Sequence, residues 1–165
     1  MDLTKVSQAE RIAGITGILF IVDMWLNWWS GGSILGVSID FNAWELSDFM
    51  DIIWFLSALS GVGLFLMAAN NVALNLPVAM SALATGLGGL STVLIIYRLI
   101  DPPYGADRSY GVFVGLILMG AMTYGAFTAM QEEGASVGSG GGGGGAGRTP
   151  PPPPPPPPPQ APPRA

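Results

Sequence analysis

Residues 78–100 read V-A-M-S-A-L-A-T-G-L-G-G-L-S-T-V-L-I-I-Y-R-L-I, and Asp101, Pro102 and Pro103 follow at once. No charge interrupts the stretch before Arg98. It is long enough to cross a bilayer, since about 30 Å of hydrocarbon needs about 20 apolar residues in a helix. The prolines then stop it, because Pro102 disfavours helical geometry at Asp101. Three more stretches repeat the pattern: Ile12 to Trp29, Ile52 to Ala69 and Tyr110 to Met130. None shows the polar stripe, recurring every three to four residues, that a soluble bundle presents to water. Half of the 165 residues are hydrophobic and a tenth are charged, with a positive mean hydropathy. Such a balance belongs to a membrane protein.

The predicted fold class is therefore an all-α membrane protein with four antiparallel transmembrane helices, at about 12–29, 50–70, 78–100 and 110–130, within a domain spanning 1–133. The link N-N-V-A-L-N-L-P at 70–77 is short and rich in turn formers, with Pro77 suited to the first turn of the next helix. It makes the second and third helices antiparallel neighbours. Between the first and second helices, alternating apolar and small polar residues predict a short hairpin or interfacial turn, then a helix starting near Ala43. Residues 134–149 form a Gly/Ser-rich linker and residues 150–165 a disordered proline-rich tail. Its ten consecutive prolines, 150–159, predict a polyproline II rod roughly 31 Å long. Such a rod suits an aromatic-lined groove on a cytoplasmic partner. A low-complexity extension with no partner is the competing reading.

Lys5 and Arg11 precede the first helix, and the loop after it holds no basic residue. By the distribution of Lys and Arg, both termini are cytoplasmic and the tryptophan-bearing loop is outside. Arg98 and Arg108 at the outer side oppose this. The basic lead and apolar run resemble a signal peptide, yet the run continues into D-M-W-L-N-W-W without a small-residue cleavage site, so an uncleaved anchor is expected. Trp25, Trp28 and Trp29 end the first helix, while Trp44 and Trp54 flank the start of the second. Indole rings concentrate at headgroup depth, so these five predict one interface.

The chain has no cysteine and no histidine, which excludes disulfides, thiolate chemistry and imidazole metal ligation. A net charge of −5 gives no footprint for nucleic acid. G-L-G-G at 86–89 lacks the preceding strand that a dinucleotide site needs. No pair of nucleophile and base can be named. No enzyme activity, cofactor or metal is expected.

The remaining charges form a candidate structural cluster of Asp23, Asp51, Arg98 and Asp101. Asp23 lies inside the first apolar run, where a charge is costly unless paired or hydrated, although tilt could bring it to the wet interface. Asp51 complements the dipole at the start of the second helix. Asp40, Glu45, Asp48 and Asp51 could hold a divalent cation, although capping alone could account for Asp48 and Asp51 at the start of the second helix. Arg98 is expected to bridge to Asp51, with Asp23 as the second choice, against simple snorkelling to lipid phosphate. Small residues four apart, Ala13/Gly17, Ser57/Gly61, Ala84/Gly88 and Gly111/Gly115, predict close helix packing within the bundle or, alternatively, a homo-oligomer.

The short basic lead, the tryptophan-rich end of helix one, N-A-W-E before helix two and above all Y-R-L-I-D-P-P at 97–103 resemble a group of small, uncharacterised four-helix membrane proteins of actinobacteria. The resemblance covers about Ala9 to Glu133. It implies the multi-pass topology and brings no activity with it. The expected function is a non-enzymatic structural or interaction subunit of the bacterial cell envelope, partnered by the lipid bilayer and by a membrane protein or its own copies. The alternative is a small transporter or channel component, active as an oligomer, using Asp23 and Arg98 as intramembrane charges.

Overall fold

A computed structural model describes residues 6–34, 37–46, 49–70, 72 and 79–134. The tail, Lys5, Asp48 and Pro77 lie outside the described residues. The elements run α1 (Gln8–Asp23), β1 (Trp29–Ile34), β2 (Val37–Phe41), α2 (Ala43–Leu46), α3 (Met50–Asn70), α4 (Met80–Ile100), a 3-10 turn (Pro103–Gly105), β3 (Asp107–Arg108) and α5 (Tyr110–Glu132). Three helices, α3, α4 and α5, are long and apolar enough to cross a membrane.

The first helix differs from expectation at both ends. It begins at Gln8 because Ser7 and Glu10 close a capping box: Ser7 Oγ accepts from Glu10 N (3.2 Å) and Glu10 Oε2 from Ser7 N (2.7 Å). It stops at Asp23, where the Trp28 indole N–H folds back onto the Asp23 carbonyl (3.0 Å). Trp28 and Trp29 thus lie beyond the helix, and α1 has 16 residues.

The long helices pack as a four-cornered bundle in which α1 touches α3 and α5, and α4 touches the same two. All four small-xxx-small pairs face inward. A Cβ on Gly17 would stand 2.8 Å from the Ala58 carbonyl oxygen, and one on Gly88 would stand 2.5 Å from Thr123 Oγ1. These glycines set the helix spacing in a medium where dispersion must replace the hydrophobic effect. Between α3 and α4, the buried Ser57 Oγ lies 2.6 Å from Ser91 Oγ and donates to the Leu87 carbonyl (3.0 Å). Ser81 bonds Glu133 at the opposite end from the strands.

The all-α expectation is corrected by a small antiparallel sheet of order β2-β1-β3. The β1–β2 hairpin pairs Trp29 with Phe41 and Ile34 with Val37, with a register shift between Ser30 and Ser33. The strand from the α4–α5 loop joins through Trp29↔Arg108 and Ser30↔Asp107. Both loops at this end of the bundle are thereby stitched into one lid.

Candidate functional site

The sheet end of the bundle concentrates the polar chemistry. Asn27 and Trp28 are its hinge: Trp28 N donates to the Phe41 carbonyl (2.9 Å), while the carbonyls of Trp28 and Asn27 accept from Ser109 N (2.9 Å) and Gly111 N (3.0 Å). The first amides of α5 are thus satisfied by backbone from another loop, and the N-cap Ser109 contributes no side-chain bond. Glycine at 111 permits this approach, because a Cβ there would lie 2.7 Å from the Asn27 oxygen.

Below the lid, Asp23 is 2% exposed. Its Oδ2 accepts from Trp28 Nε1 (3.2 Å), and its Oδ1 is buried with no hydrogen-bond partner among the described residues. Gly115 makes room for both: a Cβ on it would meet Trp28 Cζ2 at 2.6 Å and Asp23 Oδ2 at 2.7 Å. The Trp28 ring packs on Trp54 (centroids 5.1 Å) and edge-on to Phe20 (6.0 Å). Of the five tryptophans read as interfacial, Trp28, Trp29 and Trp54 are enclosed by protein, whereas Trp25 is 68% exposed and Trp44 half-buried. All five still share one end, with Trp25 against Trp44 (6.1 Å) and Trp44 against Phe55 (5.5 Å).

Asp23, Asp51 and Asp101 of the expected charge cluster each accept a hydrogen bond from a different group. Asp51 is buried in the first turn of α3, where its Oδ1 accepts from Ile52 N (2.8 Å). Among the described residues Arg98 has a buried Nε with no hydrogen-bond partner. Asp101 leaves helical geometry (φ −120°, ψ 83°), as Pro102 requires, and accepts from the Tyr97 hydroxyl (3.1 Å). The loop acids are engaged locally: Asp40 accepts from Asn27 Nδ2 (3.2 Å), and Glu45 from Asn42 N (2.9 Å). Among the described residues no group of three acids converges on a point that could hold a metal ion.

The residue that sequence reasoning missed is Arg108. Its Nε donates to the Leu99 carbonyl (2.7 Å) and its Nη2 to the Ile100 carbonyl (3.3 Å). A cation thereby satisfies the last turn of α4, complementing the negative end of the helix dipole. Beside it, a cleft of about 280 Å³ opens between β1 and the 3-10 turn. Compared with known protein families, with curated proteins and with solved structures, the chain matches none.

Proposed function

We propose that this chain is a multi-pass protein of the bacterial cell membrane with four crossings and both termini cytoplasmic, acting as a non-enzymatic structural or interaction subunit. The carrying observation is the exterior of the bundle. α3, α4 and α5 turn residues such as Leu56, Val93 and Ile117 outward, and α1 does the same with Ile15, Leu19 and Val22. An apolar surface of this extent on a monomer calls for a lipid or protein environment. α1 alone rises about 24 Å over its 16 residues, and the Met24–Trp29 segment lengthens it toward the thickness of the hydrocarbon.

Lys5 and Arg11 ahead of α1 favour a cytoplasmic start, and an even number of crossings returns the C-terminus to the same side. The interior supports a structural role over transport by a single copy, because Phe20, Trp54, Met119 and Met122 fill it. The proline run offers an interaction element on the cytoplasmic side. The resemblance around Y-R-L-I-D-P-P favours the same multi-pass reading.

The absence of cysteine makes the topology directly testable. Single Gln8→Cys, Tyr104→Cys and Gln131→Cys variants in intact cells are treated with a membrane-impermeant maleimide. Labelling of Tyr104→Cys alone is expected; labelling of Gln8→Cys or Gln131→Cys would overturn the arrangement. Purification from native membrane tests the interaction role. A lone chain, unchanged on deletion of residues 134–165, would end it.

A further inference from the structure

We propose that the cleft at the sheet end binds an alkylammonium group, a primary or quaternary amine of the kind carried by lipid headgroups and by small soluble amines. The cleft exists because β3 pairs with β1 only as far as Ser30↔Asp107, after which the chains part. Tyr104 and Gly105 turn away with φ of 53° and 70°, and Gly32 opposite has φ of 83°. Gly31, Gly32, Phe41, Tyr104, Gly105 and Asp107 line the resulting space of about 280 Å³.

Two aromatic rings and one carboxylate in a small recess are the recognition chemistry of an organic cation. The ring faces attract it through their quadrupoles, and the carboxylate supplies the counter-charge. Phe41 is set against the Gly31 backbone, since a Cβ on Gly31 would meet Phe41 Cε2 at 3.0 Å. Tyr104 is 84% exposed in a left-handed conformation that glycine would adopt freely. Holding a tyrosine there costs about 1–3 kcal/mol of backbone strain and gains it no burial. Strain of that sort at a cleft mouth is what a binding role would retain. Charge complementarity points the same way: at this end Asp40, Glu45, Asp101 and Asp107 are exposed. Against them stand Arg98, in the last turn of α4, and Arg108, whose guanidinium is engaged by the Leu99 and Ile100 carbonyls. Consecutive strand residues also face opposite sides, so Arg108 points away from the face of Asp107. This inference goes beyond the role proposed above and does not rest on its topology.

The test uses the full chain labelled with 15N-glycine in maltoside micelles, titrated with choline chloride and, separately, with its uncharged isostere 3,3-dimethylbutan-1-ol. Saturable shifts of the Gly31, Gly32 and Gly105 amides with choline alone are expected. Tyr104→Gly, which removes the ring and relieves the strain, should weaken binding roughly two- to fivefold. Asp107→Asn should weaken it by a similar factor of roughly two to five. Glu132→Gln, at the opposite end of the bundle, should leave it unchanged. Equal shifts with the alcohol, a linear drift without saturation, or indifference to both cleft substitutions would overturn the assignment. Bilayer discs identify the source. Shifts in phosphatidylcholine discs without added amine make a headgroup the ligand, shifts in phosphatidylglycerol discs only after choline is added make it a soluble amine, and shifts in neither overturn the proposal.

Discussion

Gly120 and Gly125 lie five positions apart on α5, and the same substitution should change stability in opposite directions at the two sites. A Cβ built on Gly125 falls 2.8 Å from Ala13 N and 2.8 Å from Ala9 O. Both are backbone atoms of α1, so no side chain can rotate out of the way. Carbon contacts relax only near 3.5 Å, which means α1 must retreat from α5 by about 0.7 Å. Overpacking of this kind costs about 1–3 kcal/mol. Removing glycine from a helix interior returns up to about 1 kcal/mol. Gly125→Ala should therefore destabilise by up to about 2 kcal/mol after the full offset. At Gly120 no described atom lies within 4 Å of the new methyl, which would sit in the shallow α4–α5 groove beside Thr92 and Phe127. Gly120→Ala should stabilise by about 0.5–1 kcal/mol. The assay is unfolding by dodecyl sulfate in mixed micelles, followed by near-ultraviolet circular dichroism of the buried indoles. Gly125→Ala at or above wild-type stability would refute the close approach of α1 and α5. Loss of stability in Gly120→Ala would instead mean that another chain fills the groove.

Trp28→Phe keeps most of the ring but removes the N–H that reaches Asp23, and should cost about 1–3 kcal/mol in the same titration; a smaller loss would mean that this bond adds little. Ser57→Ala and Ser91→Ala should couple by about 0.6 kcal/mol in a double-mutant cycle, the scale of hydroxyl bonds between membrane helices, and strict additivity would remove the bond from the account. Arg108→Gln leaves the last carbonyls of α4 without their cation and should cost about 0.3–1 kcal/mol. Hydrogen exchange should then quicken at Tyr97 to Asp101, and unchanged exchange there would show that water caps the helix equally well.

The lipid-facing part of this fold is legible in the sequence because hydropathy reads it one residue at a time. The spans at α3, α4 and α5 follow from length and the lack of charge, and the stop at Asp101 follows from Pro102. Inward-facing glycines were legible too, since spacing by four places two small residues on one helix face whatever the neighbours are. The start of α1 is written in the sequence as Ser7-x-x-Glu10, a local capping signal that lies ahead of the apolar run. Its end was not local at all. Asp23 closes the helix by accepting from an indole five residues later, and the main chain of that tryptophan is held by the Phe41 carbonyl and the Ser109 amide.

The site is less legible for the same reason. Depth along the sequence sets Arg98 level with Asp51, but the partners that Asp23 and Asp101 take, Trp28 and Tyr97, are set by local geometry that depth does not describe. What organises this end is a strand of two residues, Asp107–Arg108, too short for any alternation of hydropathy to reveal. Its pairing with Trp29 and Ser30 carries Arg108 back under α4, parts the chain at Tyr104 and so makes the cleft. Backbone hydrogen bonds between two loops are invisible to composition, periodicity and spacing, because every residue except proline carries the same donor and acceptor. The polar geometry of this protein is therefore set by main-chain closure of its lid, with Tyr104 and Asp107 placed as a consequence. A change that breaks Trp29↔Arg108 pairing should disturb the α4 cap and the cleft together, whereas a change at Asp23 should leave both intact.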